Sequence, residues 1–137
     1  MTMLEFVGQL SLGFIMIGAT AGSALGIGAV GSAATGAWAK EAKAGKTLNF
    51  SYIILIGMPL SQTIYGFILM LVGLAPLVTG ANPVTANHAG TLLGIGLAGG
   101  LAEFFSGWIQ GLIGASACRA LSEGEGKGLV FMIIAMG

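Results

Sequence analysis

Residues 6–39 read FVGQLSLGFIMIGATAGSALGIGAVGSAATGAWA, without one charged side chain. A helix needs roughly 20 apolar residues to cross about 30 Å of hydrocarbon, and this run exceeds that length. No signal peptide fits it, because the acidic Glu5 stands where a basic leader would be and the run is too long. A first membrane-spanning helix follows, and the rest of the chain repeats its pattern. Lys40-Glu41-Ala42-Lys43-Ala44-Gly45-Lys46 is a short hydrophilic connector, and residues 48–77 form a second uncharged run interrupted by Pro59. Residues 78–90, VTGANPVTANHAG, carry turn residues at Gly80, Asn82 and Pro83 and no formal charge at neutral pH. A third run, 91–117, holds a single carboxylate, Glu103; the charged connector 119–127 then leads into the apolar residues 128–137.

The expected fold is therefore an all-α membrane protein of four transmembrane helices in two tandem hairpins, residues 1–80 and 81–137. An offset of about 80 aligns Gly31 with Gly111 and nearly aligns Gly45-Lys46 with Gly126-Lys127, so the organisation repeats although the identity is weak. Ten residues rise only about 15 Å. A helix ending there would leave carbonyls in hydrocarbon, and the fourth helix is expected to be truncated, its native continuation lying past Gly137.

Composition narrows the function. Of 137 residues 55% are hydrophobic and 7% charged, against roughly 25% charged in soluble domains, which excludes a water-soluble globule. Five basic and five acidic residues give no net charge, so nothing favours nucleic acid, and the expected surrounding is lipid. A single cysteine, Cys118, forms no internal disulfide, and no Cys and His cluster has zinc spacing. All five Lys and Arg residues lie in the connectors 40–46 and 119–127, which the positive-inside rule places in the cytoplasm.

The 25 glycines lack both a collagen period and a linker's polarity, and are expected where helices touch. Gly18, Gly22 and Gly26 recur every four residues, followed by Gly28, Gly31 and Gly36; the third run carries Gly96, Gly100, Gly107, Gly111 and Gly114. Such spacing makes a flat strip that admits close backbone approach. Ordinary helix packing explains it, but the second run is bulky, with Tyr52, Met58, Tyr65, Phe67 and Met70, and slim inner helices with bulky outer ones suit a tight ring. Gly94, Gly96 and Gly99 match a dinucleotide fingerprint only formally, since no strand precedes them. The sequon at Asn49, the lone Cys118 and the loop residue His88 carry no chemistry in this reading.

Polar groups inside spans are costly and usually have a partner or a task. Pro59 withdraws a helical N–H and frees the Leu55 carbonyl. Ser61 and Tyr65 are four apart beside Gln62, so a hydroxyl, an amide oxygen and a phenol can share one face; the third run adds Gln110, with Glu103 seven residues before it. Interhelical hydrogen bonding accounts for any single Gln. Together the group has the oxygen chemistry of a hard-cation site, which needs one carboxylate to neutralise the bound charge, and Glu103 is the intramembrane carboxylate present.

At these residues the chain resembles the rotor-ring proteolipids of V-type and archaeal or bacterial A/V-type ATPases, the subunits called K or c. The resemblance covers essentially the whole chain and rests on Pro59-Leu60-Ser61-Gln62-Thr63-Ile64-Tyr65-Gly66-Phe67 and Phe105-Ser106-Gly107-Trp108-Ile109-Gln110-Gly111. It implies that Ser61, Gln62, Tyr65 and Gln110, with the backbone carbonyl of Met58, surround Na⁺, and that the essential Glu belongs to helix four, expected just beyond Gly137. Glu103 matches no required ligand of that pattern and is carried as a tentative one. The resemblance further implies a ring of identical copies, a stationary Arg-bearing membrane subunit, central-stalk subunits at the cytoplasmic loops, Na⁺ or H⁺ as cargo, no cofactor, and ATP chemistry elsewhere in the complex. Two alternatives stay open: a small multi-pass transporter or exporter coupled through Glu103, and a structural proteolipid without transport.

Overall fold

The computed structural model describes residues 2–81, 83, 85–124 and 129–136, the side chains of residues 85, 86 and 131 excepted. The described chain is helical, without a strand. Helix α1 spans Met3–Lys43, α2 Ser51–Gly57, α3 Leu60–Ile68, α4 Ala75–Thr79, α5 Thr85–Ser122 and α6 Leu129–Met136, with a π-helical turn at Leu69–Leu74. Among the described residues three stretches are long and apolar enough to cross a membrane: Met3–Lys43, Ser51–Thr79 and Asn87–Ser122.

Local chemistry fixes the ends. Thr2 and Glu5 form a reciprocal capping box, the Glu5 N–H donating to Thr2 Oγ1 (3.2 Å) and the Thr2 N–H to Glu5 Oε2 (2.6 Å). Helix α1 outlasts the expected boundary at Ala39, because Lys40, Glu41, Ala42 and Lys43 are good helix formers. Gly45 then stops it at φ 64, with the Lys46 N–H on the Glu41 carbonyl (3.0 Å) and the Gly45 N–H on the Ala42 carbonyl (3.1 Å), a Schellman closure. The central connector is likewise shorter than expected: α4 reaches Thr79 and α5 already starts at Thr85, so His88 lies in a helix, at a kink with φ −128 and ψ 22. Asn82 of the expected turn and residues 125–128 of the second charged connector lie outside the described residues.

The second span breaks where proline dictates. Met58 and Pro59 form a turn between α2 and α3, as the missing N–H requires. Pro76 opens α4 immediately after the π turn, where the Ala75 N–H reaches back to the Met70 carbonyl. The widened turn also sets register. Gln62, Gly66, Leu74 and Val78 are all buried. From Gly66 to Val78 an α-helix would rotate roughly 120° off its starting face, whereas absorbing one residue in a π turn leaves roughly 20°.

The chain divides into two compact units, residues 1–22 with 62–105 and residues 23–61 with 106–137. In the first, Ile15, Leu74, Val78 and Leu92 form the core. A methyl group on Gly18 would overlap the Gly100 backbone, one on Gly22 that of Phe104 and one on Gly96 that of Ser11, so the glycines there are backbone contacts. In the second, Val30, Ala34, Ala37, Tyr52, Leu55, Cys118 and Leu121 are buried together, and Gly26 lies against the backbone of Gly107 and of Gly111. The expectation that glycines mark contacts fails for Gly28, Gly31, Gly36 and Gly94, around which a methyl group would meet nothing within 4 Å.

Candidate cation site

In the second unit the proline break is held by oxygen chemistry. The Met58 carbonyl accepts both the Ser61 N–H (3.2 Å) and the Ser61 hydroxyl (2.9 Å), so these two expected site residues are brought together. Pro59 is buried, and its carbonyl accepts the hydroxyl of Ser23 on α1 at 2.7 Å. On the same helix, Gly26 leaves no room for a side chain, since a methyl group there would lie 2.8 Å from Pro59 Cβ. Gln110 belongs to this unit and is 6% exposed. Its Oε1 is buried without a hydrogen-bond partner among the described residues. Such an orphaned acceptor costs about 1–3 kcal/mol, and a bound cation would remove that cost.

The first unit holds the remaining expected residues. Gln62 on α3 is 4% exposed, and Gly66, one turn on, packs against the methyl of Ala19. The Thr63 hydroxyl reaches the Ala19 carbonyl at 3.5 Å. Tyr65 is 57% exposed within the single chain, so its phenol points away from the core. Glu103 on α5 is half-buried. No group of three His, Cys, Asp or Glu residues able to hold a metal occurs among the described residues.

Two features escaped the sequence. Ser23 is a small residue within a glycine strip, and only its alignment with a proline break on another helix distinguishes it. The other is a buried carboxylate: Glu41, 6% exposed, accepts the Tyr52 hydroxyl (2.6 Å) and the Asn49 N–H (2.9 Å). Trp38 completes the cluster, donating from its indole N–H to the Asn49 carbonyl (2.8 Å) and meeting Tyr52 edge to face at 5.7 Å. A Glu between lysines in a hydrophilic stretch reads as solvated, and nothing local marks it as turned inward.

Long apolar helices and close glycine contacts define an all-helical membrane protein. Residues 10–72, a little under half of the chain, match the family of the ATP synthase C subunit. That segment contains α1 from Leu10 onward, the Pro59 break and Met58, Ser61, Gln62 and Tyr65. No curated protein and no solved structure matches the chain.

Proposed function

We propose that the chain is a rotor-ring proteolipid of a V/A-type rotary ATPase, of the K type, which carries Na⁺, or alternatively H⁺, across the membrane while ATP is hydrolysed or made in the soluble sector. The orphaned Oε1 of Gln110 carries this reading, supported by the ATP synthase family match over residues 10–72 and by the resemblance of the motifs at 59–67 and 105–111. In this proposal Ser61, Gln62, Tyr65, Gln110 and the Met58 carbonyl are the cation ligands. The Met58 carbonyl receives two donors from Ser61, so ion binding requires the Ser61 hydroxyl to rotate its proton aside. That rotation frees a lone pair of the Met58 carbonyl and so couples the two ligands. A carboxylate beside them neutralises the ion, so that the loaded site can turn past lipid, and an Arg of a stationary subunit displaces it. Identical copies form the ring in the cell membrane, and the connectors 40–46 and 119–127 face cytoplasmic stalk subunits.

The test is ²²Na⁺ binding by the purified protein with native mass spectrometry of its assembly. A detergent-resistant ring of many copies that binds ²²Na⁺ supports the proposal. A dimer, with transport that depends on Glu103, would replace it with the exporter reading.

A further inference from the structure

Resting on the cation reading above, we propose that Ser23 is a positioning residue of the ion site, one that sets its selectivity through the Pro59 break without touching the ion. The hydroxyl is buried, 3% exposed, and donates to the Pro59 carbonyl at 2.7 Å across 36 residues of sequence. Pro59 stands at the entry to α3, has no N–H to donate and no side-chain oxygen with which to cap the helix that follows. Its orientation is therefore taken from α1: Ser23 holds the carbonyl, and Gly26, one turn further on, leaves no room for a side chain beside the ring. On either side of that clamped residue stand two proposed ligands, the Met58 carbonyl one residue before and the Ser61 hydroxyl two residues after, themselves joined at 2.9 Å. Selectivity among monovalent cations depends on how far ligand oxygens can adjust to the radius of the ion. A clamp from outside the broken helix limits that adjustment, and its loss lets the same oxygens close around a smaller ion.

Ser11 supplies the internal control. It is also a buried serine of α1, but its hydroxyl donates to the Gly8 carbonyl of its own helix at 2.7 Å. If Ser23 only held helices together, replacing it would change assembly and stability and leave the preference between ions alone.

The experiment is ²²Na⁺ binding with Li⁺ competition on the full chain in membranes, comparing wild type with S23A, S23C, S23T and S11A. Assembly of each variant is checked on the same samples. Losing one hydrogen bond of ordinary strength predicts Na⁺ binding about fivefold weaker in S23A. The ratio of Li⁺ to Na⁺ affinity rises roughly threefold or more as the ligands gain freedom to close on the smaller ion. S23T, which keeps the donor, stays within about twofold of wild type on both measures, and S23C, a weaker donor, falls between. S11A leaves the ratio unchanged. Should S23A fail to assemble, S23C carries the comparison. An unchanged Li⁺ to Na⁺ ratio in S23A or S23C, with wild type binding Na⁺ normally, overturns the proposal and leaves the cation reading intact. Failure of wild type itself to bind Na⁺ is the separate result that removes the reading beneath it.

Discussion

At the scale of single residues, stability and binding turn on buried polar atoms and whether each is satisfied. Gln110 is the unsatisfied case, and replacing it with Leu should weaken Na⁺ binding more than tenfold, about 1.4 kcal/mol. Equal ²²Na⁺ binding by Q110L and wild type would return Gln110 to helix packing. Glu41 is the opposite case, a carboxylate closed in by two donors. E41A should lower stability by about 2 kcal/mol or more, because the Tyr52 hydroxyl and the Asn49 N–H both lose their acceptor, while E41Q loses less by keeping one carbonyl oxygen. Thermal unfolding in detergent reads the difference, and indistinguishable curves for wild type and E41A would refute the clamp. The contrast also explains what the sequence could disclose. Gln62 and Gln110 stand out because an amide is conspicuous within an apolar span, whereas Glu41 sits among lysines and Ser23 among glycines, where composition conceals them. Their roles come from partners 8 to 36 residues away, which no local pattern encodes.

At the scale of elements, the spans were legible because hydrocarbon thickness imposes a length and forbids charge, and the Pro59 break because proline lacks a donor. The π turn at Leu69–Leu74 was not, since its cause is register: Leu74 and Val78 must share a face with Gln62 and Gly66. This gives an asymmetric expectation. Deleting Val72, which is 69% exposed, together with P76A should convert the turn to α-helix and keep both buried stripes aligned. Inserting one Ala at the same place should rotate them apart by about 100° and prevent assembly. Membrane-fraction yield and detergent melting of the two variants decide it; a deletion as damaging as the insertion would show that the widened turn has some other purpose. The glycine strip had a legible position but not a legible extent. Gly18, Gly22 and Gly26 press on α5, and the same helix continues through Gly28, Gly31 and Gly36 with open space beside them.

At the scale of the whole molecule, the question is what the chain does with an acid inside a span. Large apolar side chains such as Ile64, Phe67, Ile68, Leu71 and Val72 are exposed along the second span, as suits lipid or further copies of the chain. Glu103, half-buried on α5, is where the rotor and exporter readings diverge. In the rotor reading proposed above the ion is carried by amide, hydroxyl and carbonyl oxygens with a carboxylate other than Glu103, and Glu103 is auxiliary. A neutral amide of the same shape then avoids the expense of an unpaired charge at that depth. E103Q should keep most Na⁺-stimulated ATPase activity of the assembled complex and most ²²Na⁺ binding. In an exporter Glu103 is the one group able to exchange the coupling ion, and the same substitution should abolish transport altogether. The measurement is made on complexes containing only E103Q copies, so that no wild-type copy masks a defect. Activity near wild type, with the ring still assembled, favours the rotor. Loss of ion-coupled activity from an intact assembly would move the ion-carrying carboxylate to Glu103 and require the Gln62 and Gln110 oxygens to be reassigned around it.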